Sequence, residues 1–271
     1  MNIDIEQLSA EIRDAALEEL LPRFRRIGSQ YKSDGSVVTE ADFAVQERVT
    51  RQLRRAYPQI PLLGEEMSGD QQQRIMQESD TGYWCLDPLD GTANYVAGMP
   101  CFATSLAYIQ NGRTLLGVIF DPLRDECYSA VRGQGARLNG RPLQLEATSE
   151  ALKSCVAMVD FKRLSRPLAA RLATQPPYRS QRSIGSVALD WCWLAAGRFQ
   201  LYLHGGSKLW DYAAGTLIFS EAGGSFQLTA GSASLPETSV PVLSPQMAIA
   251  APGETLFKNW RDWVREHEAE H

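Results

Sequence analysis

Apolar residues recur at helical spacing from the start of the chain. Ile5, Leu8, Ile12, Ala16 and Leu20 make one stripe and predict a helix over 4–27. A second stripe, Val45, Val49, Leu53 and Ala56, follows Thr39 and is ended by Pro58. Thr39 with Asp42 three residues on has the form of a capping box, the signature of a helix start. Between these helices, 31–38 reads as a polar loop carrying Lys32, Asp34 and Gly35. A short apolar run at 60–63 leads into Gly64-Glu65-Glu66, and 69–80, polar and rich in glutamine, reads as a connector.

From there the pattern changes. The run 83–86 is a short buried strand, and 102–110, 115–120 and 126–131 read as strands turned at Asn111-Gly112 and Asp121-Pro122. The glycine-rich 133–140 does not fit GxGxxG and opens no helix, so it is taken as a strand, bulge and turn. In the second half, strands at 155–159, 199–203, 226–228 and 247–250 alternate with helices. The helices are at 165–174, interrupted at Pro167; after Gly185-Ser186 as far as Gly197; from Asp211 to Ala222; and at 254–267. This mixture predicts a layered α/β (α+β) fold in two lobes, about 1–145 and 146–271.

One stretch carries chemistry. The strand at 83–86 ends in Asp87-Pro88-Leu89-Asp90-Gly91-Thr92. Pro88 fixes its own φ and Gly91 tolerates conformations other residues avoid, so the turn is stiff. It aims Asp87, the Leu89 carbonyl and Asp90 into one small volume, and that all-oxygen set suits a hard cation such as Mg²⁺. The same residues also make good turn chemistry. Further acids stand at strand ends or helix starts: Glu65-Glu66, Asp42 and Asp211, the last well placed to be a plain N-cap.

Composition narrows the classes. The chain has 271 residues, 44% hydrophobic and 22% charged, ordinary globular values. A formal net charge of −5 without a long basic run argues against a nucleic-acid groove, and makes local cationic charge necessary for any anionic substrate. The N-terminal residues lack the basic and apolar regions of a signal peptide, and no apolar run approaches a membrane span, so a cytoplasmic protein is expected. Five scattered cysteines, with no CxxC pair, read as buried apolar residues of a reducing compartment. There is no GxSxG, and His267 and His271 read as solvated tail residues, which leaves little for a serine or cysteine hydrolase.

Leu63-Gly64-Glu65-Glu66, Asp87-Pro88-Leu89-Asp90-Gly91-Thr92 and Trp210-Asp211-Tyr212-Ala213-Ala214-Gly215, with Glu221-Ala222-Gly223-Gly224 after it, resemble the motifs of the inositol monophosphatase family. That family belongs to the Mg²⁺-dependent, lithium-sensitive phosphatases. The resemblance extends over nearly the whole chain, with 32–39 and Asp42 as the family's N-terminal loop, and implies a single unit over 1–271 with the layered αβαβα sugar-phosphatase-like fold. It implies a first Mg²⁺ on Glu65, Asp87 and the Leu89 carbonyl, a second on Asp87, Asp90 and Asp211, and a third, weaker one near Glu65. It implies hydrolysis of a small phosphomonoester by metal-activated water, with Glu65, Thr92 and Asp42 catalytic. Substrate would be held by Asp90, Gly91, Thr92, Asp211, Gly185, Ser186, Val187 and His204.

Inositol 1-phosphate is then the first substrate to expect, with histidinol phosphate, adenosine 3′,5′-bisphosphate and fructose 1,6-bisphosphate as rivals. Animal members carry a carboxylate at the His204 position, where this chain departs. A second phosphate would need further cations, for which Arg163, Arg166, Arg179 and Arg182 are candidates. By the same resemblance the partner expected is a second copy of the chain; the acidic charge and the lack of a membrane-length apolar run argue against direct nucleic-acid or membrane contact. A reading of another class is a binding protein of the transcription machinery built on the same fold.

Overall fold

The computed structural model describes residues 3–25, 29–31, 37–146, 151–233, 236–238 and 240–268. The first half runs α1 (Ile5–Glu19), β1 (Ser29–Tyr31), β2 (Val37–Thr39), α2 (Glu40–Ala56), β3 (Leu62–Gly64), α3 (Gly69–Glu78), β4 (Tyr83–Asp90) and α4 (Thr92–Val96). The meander β5 (Ala103–Gln110), β6 (Arg113–Asp121), β7 (Glu126–Val131), β8 (Ala136–Leu138) and β9 (Arg141–Leu143) follows. The second half is β10 (Val156–Asp160), α5 (Arg166–Thr174), β11 (Ser180–Arg182), α6 (Val187–Ala195), β12 (Leu201–Ser207), α7 (Leu209–Glu221), β13 (Gly224–Thr229), β14 (Gln246–Pro252) and α8 (Glu254–Glu268).

Strands β3 to β9 form one seven-stranded sheet in sequence order, antiparallel except for the parallel β3–β4 pair. The second sheet has the order β11-β10-β12-β14-β13. Period-two alternation then fixes the layers. Trp84 and Leu86 of β4 pack with Leu8, Ile12, Val45 and Val49 of α1 and α2, while Tyr83 and Cys85 face Trp191, Ala214 and Leu217 of α6 and α7. Across that middle helical layer, Met158 and Tyr202 of the second sheet face inward, and Val159, Leu201 and Leu203 face outward with Leu168, Trp260 and Val264 of α5 and α8. The result is the expected αβαβα sandwich. Gly117 lets α7 lie on β6, since a Cβ there would meet the Ala214 carbonyl at 2.9 Å.

Several local expectations change. α1 stops at Glu19, because Pro22 has no N–H to continue the ladder; Lys32, Asp34 and Gly35 of the expected polar loop lie outside the described residues, as does His271. The connector at 69–80 contains helix α3. Its apolar signal is weak, but Ser68 and Gln71 form a capping box, and Gln72 donates from a buried side chain to the Gly64 carbonyl at 2.9 Å. Pro167 does not interrupt α5 but sits in its first turn, where a missing N–H costs nothing. His204-Gly205-Gly206 belongs to strand β12 itself. His267 is buried, its ring stacked on Trp263 at 4.2 Å between centroids, because α8 carries its inner stripe to its last turn. All five cysteines are free, four of them buried.

A candidate metal centre and its cleft

Strand β4 is buried along its whole length and loses register with β5 near its end: Asp87 pairs with Ser105, but Asp90 with Ala103. Three steps on β4 thus match two on β5, which is a bulge. The extra residue reverses the alternation. Asp87 faces α6 and α7 as Cys85 does, Leu89 returns to the α1–α2 side, and Asp90 comes back to the side of Asp87. Gly91 closes the turn at φ +87°, where a Cβ would meet the Cys101 carbonyl at 2.8 Å. Asp211 is not the N-cap of α7, which is Lys208, but the third residue of the helix; its carboxylate accepts from the Lys208 N–H at 2.8 Å, in the manner of a capping box.

Asp87, Asp90 and Asp211 each present a carboxylate oxygen within 4.8 Å of the others. Glu65, just past β3, lines the same cleft of about 390 Å³, together with Leu89, Gly91, Thr92, Gly185, Ser186, Val187 and His204. Asp42 does not line it. It is buried behind Thr92, accepting from the Thr39 N–H and hydroxyl at 2.7 Å each, with its other oxygen 3.3 Å from Thr92 Oγ1. The Thr92 hydroxyl donates to the Leu89 carbonyl at 2.8 Å. Ser186 spends its hydroxyl on Asp90, which also accepts from the N–H groups of Val187 (3.2 Å) and Ala188 (2.9 Å) at the start of α6.

Burial first, then Glu65, Asp90 and Asp211, holds the Asp87 carboxyl well above the ordinary range. Burial and Asp90 push Asp211 up to about 8. Asp90 reaches only about 6, because the hydrogen bonds from Ser186 and the α6 backbone offset its burial, and burial raises Asp42 to about 6. Carboxyls that repel one another in this way, in an all-oxygen setting, fit a hard divalent cation.

Other residues of the cleft were not singled out by sequence reasoning: Asn94, Asp160, Lys162 and Asp190. Asn94 donates to the carbonyls of Cys101 (2.8 Å) and Ile184 (2.6 Å), tying the β4 turn to the approach of α6. A signal for Asp190 was present, since it is the one charged residue in the otherwise apolar helix Val-Ala-Leu-Asp-Trp-Cys-Trp-Leu-Ala. Of the four arginines considered for a second phosphate, Arg163 lines the cleft; Arg166, Arg179 and Arg182 do not.

The inositol monophosphatase family model matches residues 4–261. The chain is 39% identical over 199 residues to the Nus factor SuhB of Pasteurella multocida, covering 71% of this chain and 72% of that one. It is 34% identical over 201 residues to inositol monophosphatase 1 of Solanum lycopersicum, covering 72% of each. The structure superimposes on an IMPase of Thermotoga maritima with a TM-score of 0.77 at 26% identity, over 97% of this chain and 98% of that one. Sequence, fold and the gathering of three carboxylates from two separate elements therefore agree, and the chain belongs to the inositol monophosphatase family.

Proposed function

We propose that the protein is a Mg²⁺-dependent phosphatase that hydrolyses a small polyol or sugar phosphomonoester, with inositol 1-phosphate as the first substrate to test. The observation that carries this reading is the convergence of Asp87, Asp90 and Asp211 within 4.8 Å at the floor of an open cleft. Glu65, Asp87 and the Leu89 carbonyl would hold one Mg²⁺, Asp87, Asp90 and Asp211 a second, and Glu65 would contribute to a weaker third. The chemistry supplied by bound Mg²⁺ is Lewis acidity, which offsets the charge of the phosphoryl group and lowers the pKa of water.

The chain's own groups then orient the reactants. Glu65 and Thr92 position the attacking water, and Glu65 accepts its proton. Asp42, buried behind Thr92 with an oxygen 3.3 Å from its hydroxyl, offers that hydroxyl a second acceptor beside the Leu89 carbonyl. Asp90 is held rigid by Ser186 and the first N–H groups of α6, so it stays in place for both ion and substrate. Phosphoryl transfer asks mainly for positioning and charge stabilisation, and a site without a cysteine or histidine nucleophile suits it. Lithium inhibition, a homodimer and a cytoplasmic location follow by analogy with the family.

A second reading comes from the relatives named Nus factor: a binding role beside the transcription machinery. Phosphate release from a panel of small phosphomonoesters separates the two, run with Mg²⁺, with added Li⁺ and with chelator. The phosphatase reading expects turnover with Mg²⁺, inhibition by Li⁺ and none under chelation. Turnover that survives chelation would overturn the metal mechanism, and none on any monoester would favour the binding role.

A further inference from the structure

Asp87, Asp90 and Asp211 stand on regular elements, β4 and α7, but Glu65 does not. Strand β3 ends at Gly64, so the direction of the Glu65 carboxylate depends on how the segment between β3 and α3 is held. That direction matters to the cluster. Among the neighbouring charges, Glu65 acts most strongly on Asp87.

Helix α3 reaches this segment through one side chain. The inner stripe of the helix is Gln72, Ile75 and Met76, at the i, i+3, i+4 spacing of a packed face. Ile75 and Met76 lie against the core around α6 and α7, and Gln72 between them and β3 is only 6% exposed. An amide in such a place is costly unless it is bonded. Its Nε2 donates to the Gly64 carbonyl at 2.9 Å and lies 3.5 Å from the Glu65 carbonyl, a weaker contact. Both neighbours are acceptors, which turns the amide nitrogen towards them. From the other side, the Glu65 N–H donates to the Leu86 carbonyl at 3.3 Å, next to Asp87 on β4. The backbone on either side of the Glu65 Cα is thus tied twice, to the strand of Asp87 and to α3.

We propose that Gln72 is a positioning residue for the metal centre: acting through the backbone of Gly64 and Glu65, it sets where the Glu65 carboxylate meets a divalent ion. This role rests on the phosphatase reading above, in which Glu65 is a metal ligand, and deepens it. The ion assigned to Asp87, Asp90 and Asp211 takes no ligand from this segment. Loss of the clamp therefore separates the ions: those that use Glu65 weaken, and the other keeps its affinity. Groups that orient a metal ligand from behind typically change affinity by about 10–100-fold when removed.

Titration calorimetry with Mn²⁺ tests this and needs no turnover. The parent is compared with Gln72→Met, which keeps the bulk and removes the donor. A second variant, Ser68→Ala, removes the cap of α3 and leaves Gln72 in place. Melting temperatures of the metal-free proteins are measured beside the titrations. The expected result is a parent that binds more than one ion, with one of them weakened about tenfold or more in Gln72→Met and another bound as before. Ser68→Ala should bind both as the parent does, even where its melting temperature is lower. Unchanged binding in Gln72→Met overturns the clamp alone. So does an equal loss of every ion, or a loss in both variants that follows their melting temperatures, since either would make the role merely structural. A parent that binds no Mn²⁺ removes the metal reading and the clamp together. Failure to hydrolyse any monoester would remove the phosphatase reading without touching this comparison.

Discussion

Asp90 accepts three hydrogen bonds, from Ser186, Val187 and Ala188, and its carboxyl still stays above the ordinary range. That combination marks a side chain oriented by its neighbours for a charge that comes from outside the chain. Asp90→Asn keeps the shape and most of the hydrogen bonds while removing the charge. It should lower kcat on a Mg²⁺-dependent substrate by on the order of 10²-fold or more, with a near-parental circular dichroism spectrum. Turnover near the parental value would detach Asp90 from the metal centre. At this scale the sequence was legible where chemistry sits inside a motif: two acids at a strand end, and Glu65 after a glycine. Asp190 and Asp160 were not, because only the packing of α6 beside β10 and β12 shows that they share a cleft. His267 failed for a related reason, since a polar tail composition hides an inward-facing helical stripe.

Among the elements, β4 and the turn after it decide the site. A bulge between Asp87 and Asp90 puts both carboxylates on one side, and Gly91 makes the left-handed turn against the Cys101 carbonyl. Gly91→Ala must strain that backbone, at about 1–2 kcal/mol, and also displace its neighbour. The expected outcome is a melting temperature roughly 2–8 °C lower together with reduced Mg²⁺-dependent turnover, measured by calorimetry and phosphate release. Unchanged stability would mean that the turn is not as tight as drawn. The helices with apolar stripes and the hairpin at Asn111-Gly112 could be read from periodicity and turn chemistry. The bulge could not, because alternation read along one strand carries no information about its partner's register. Helix α3 was missed because few of its residues are apolar, although its Ser68–Gln71 cap was readable.

Across the whole molecule, five layers bring acids from β3, β4 and α7 to one cleft in a chain of net charge −5. The fold class was legible from the order of elements; the convergence depended on long-range packing. It has a consequence for stability. Asp42 and Asp90 at about 6 and Asp211 at about 8 hold protons in the metal-free fold that the unfolded chain, near 3.8, releases. Their contribution is therefore fully present below about pH 4 and is lost as the pH rises toward 8. For the metal-free protein, a melting temperature from these groups that falls between pH 5 and pH 8 is expected, and Mg²⁺ should raise it more at pH 8 than at pH 5. Scanning calorimetry at both pH values, with and without Mg²⁺, checks this; an equal Mg²⁺ effect at both would argue against ions bound to these carboxyls.

Anomalous diffraction from crystals soaked in Mn²⁺ locates a divalent ion without relying on turnover, and so asks whether these carboxylates hold metal. Difference peaks are expected among Asp87, Asp90 and Asp211, with one ion reaching Glu65 and the Leu89 carbonyl, and loss of the peak beside Asp90 in Asp90→Asn. Well-ordered crystals whose cluster carries no peak, or whose ions bind elsewhere, would contradict it.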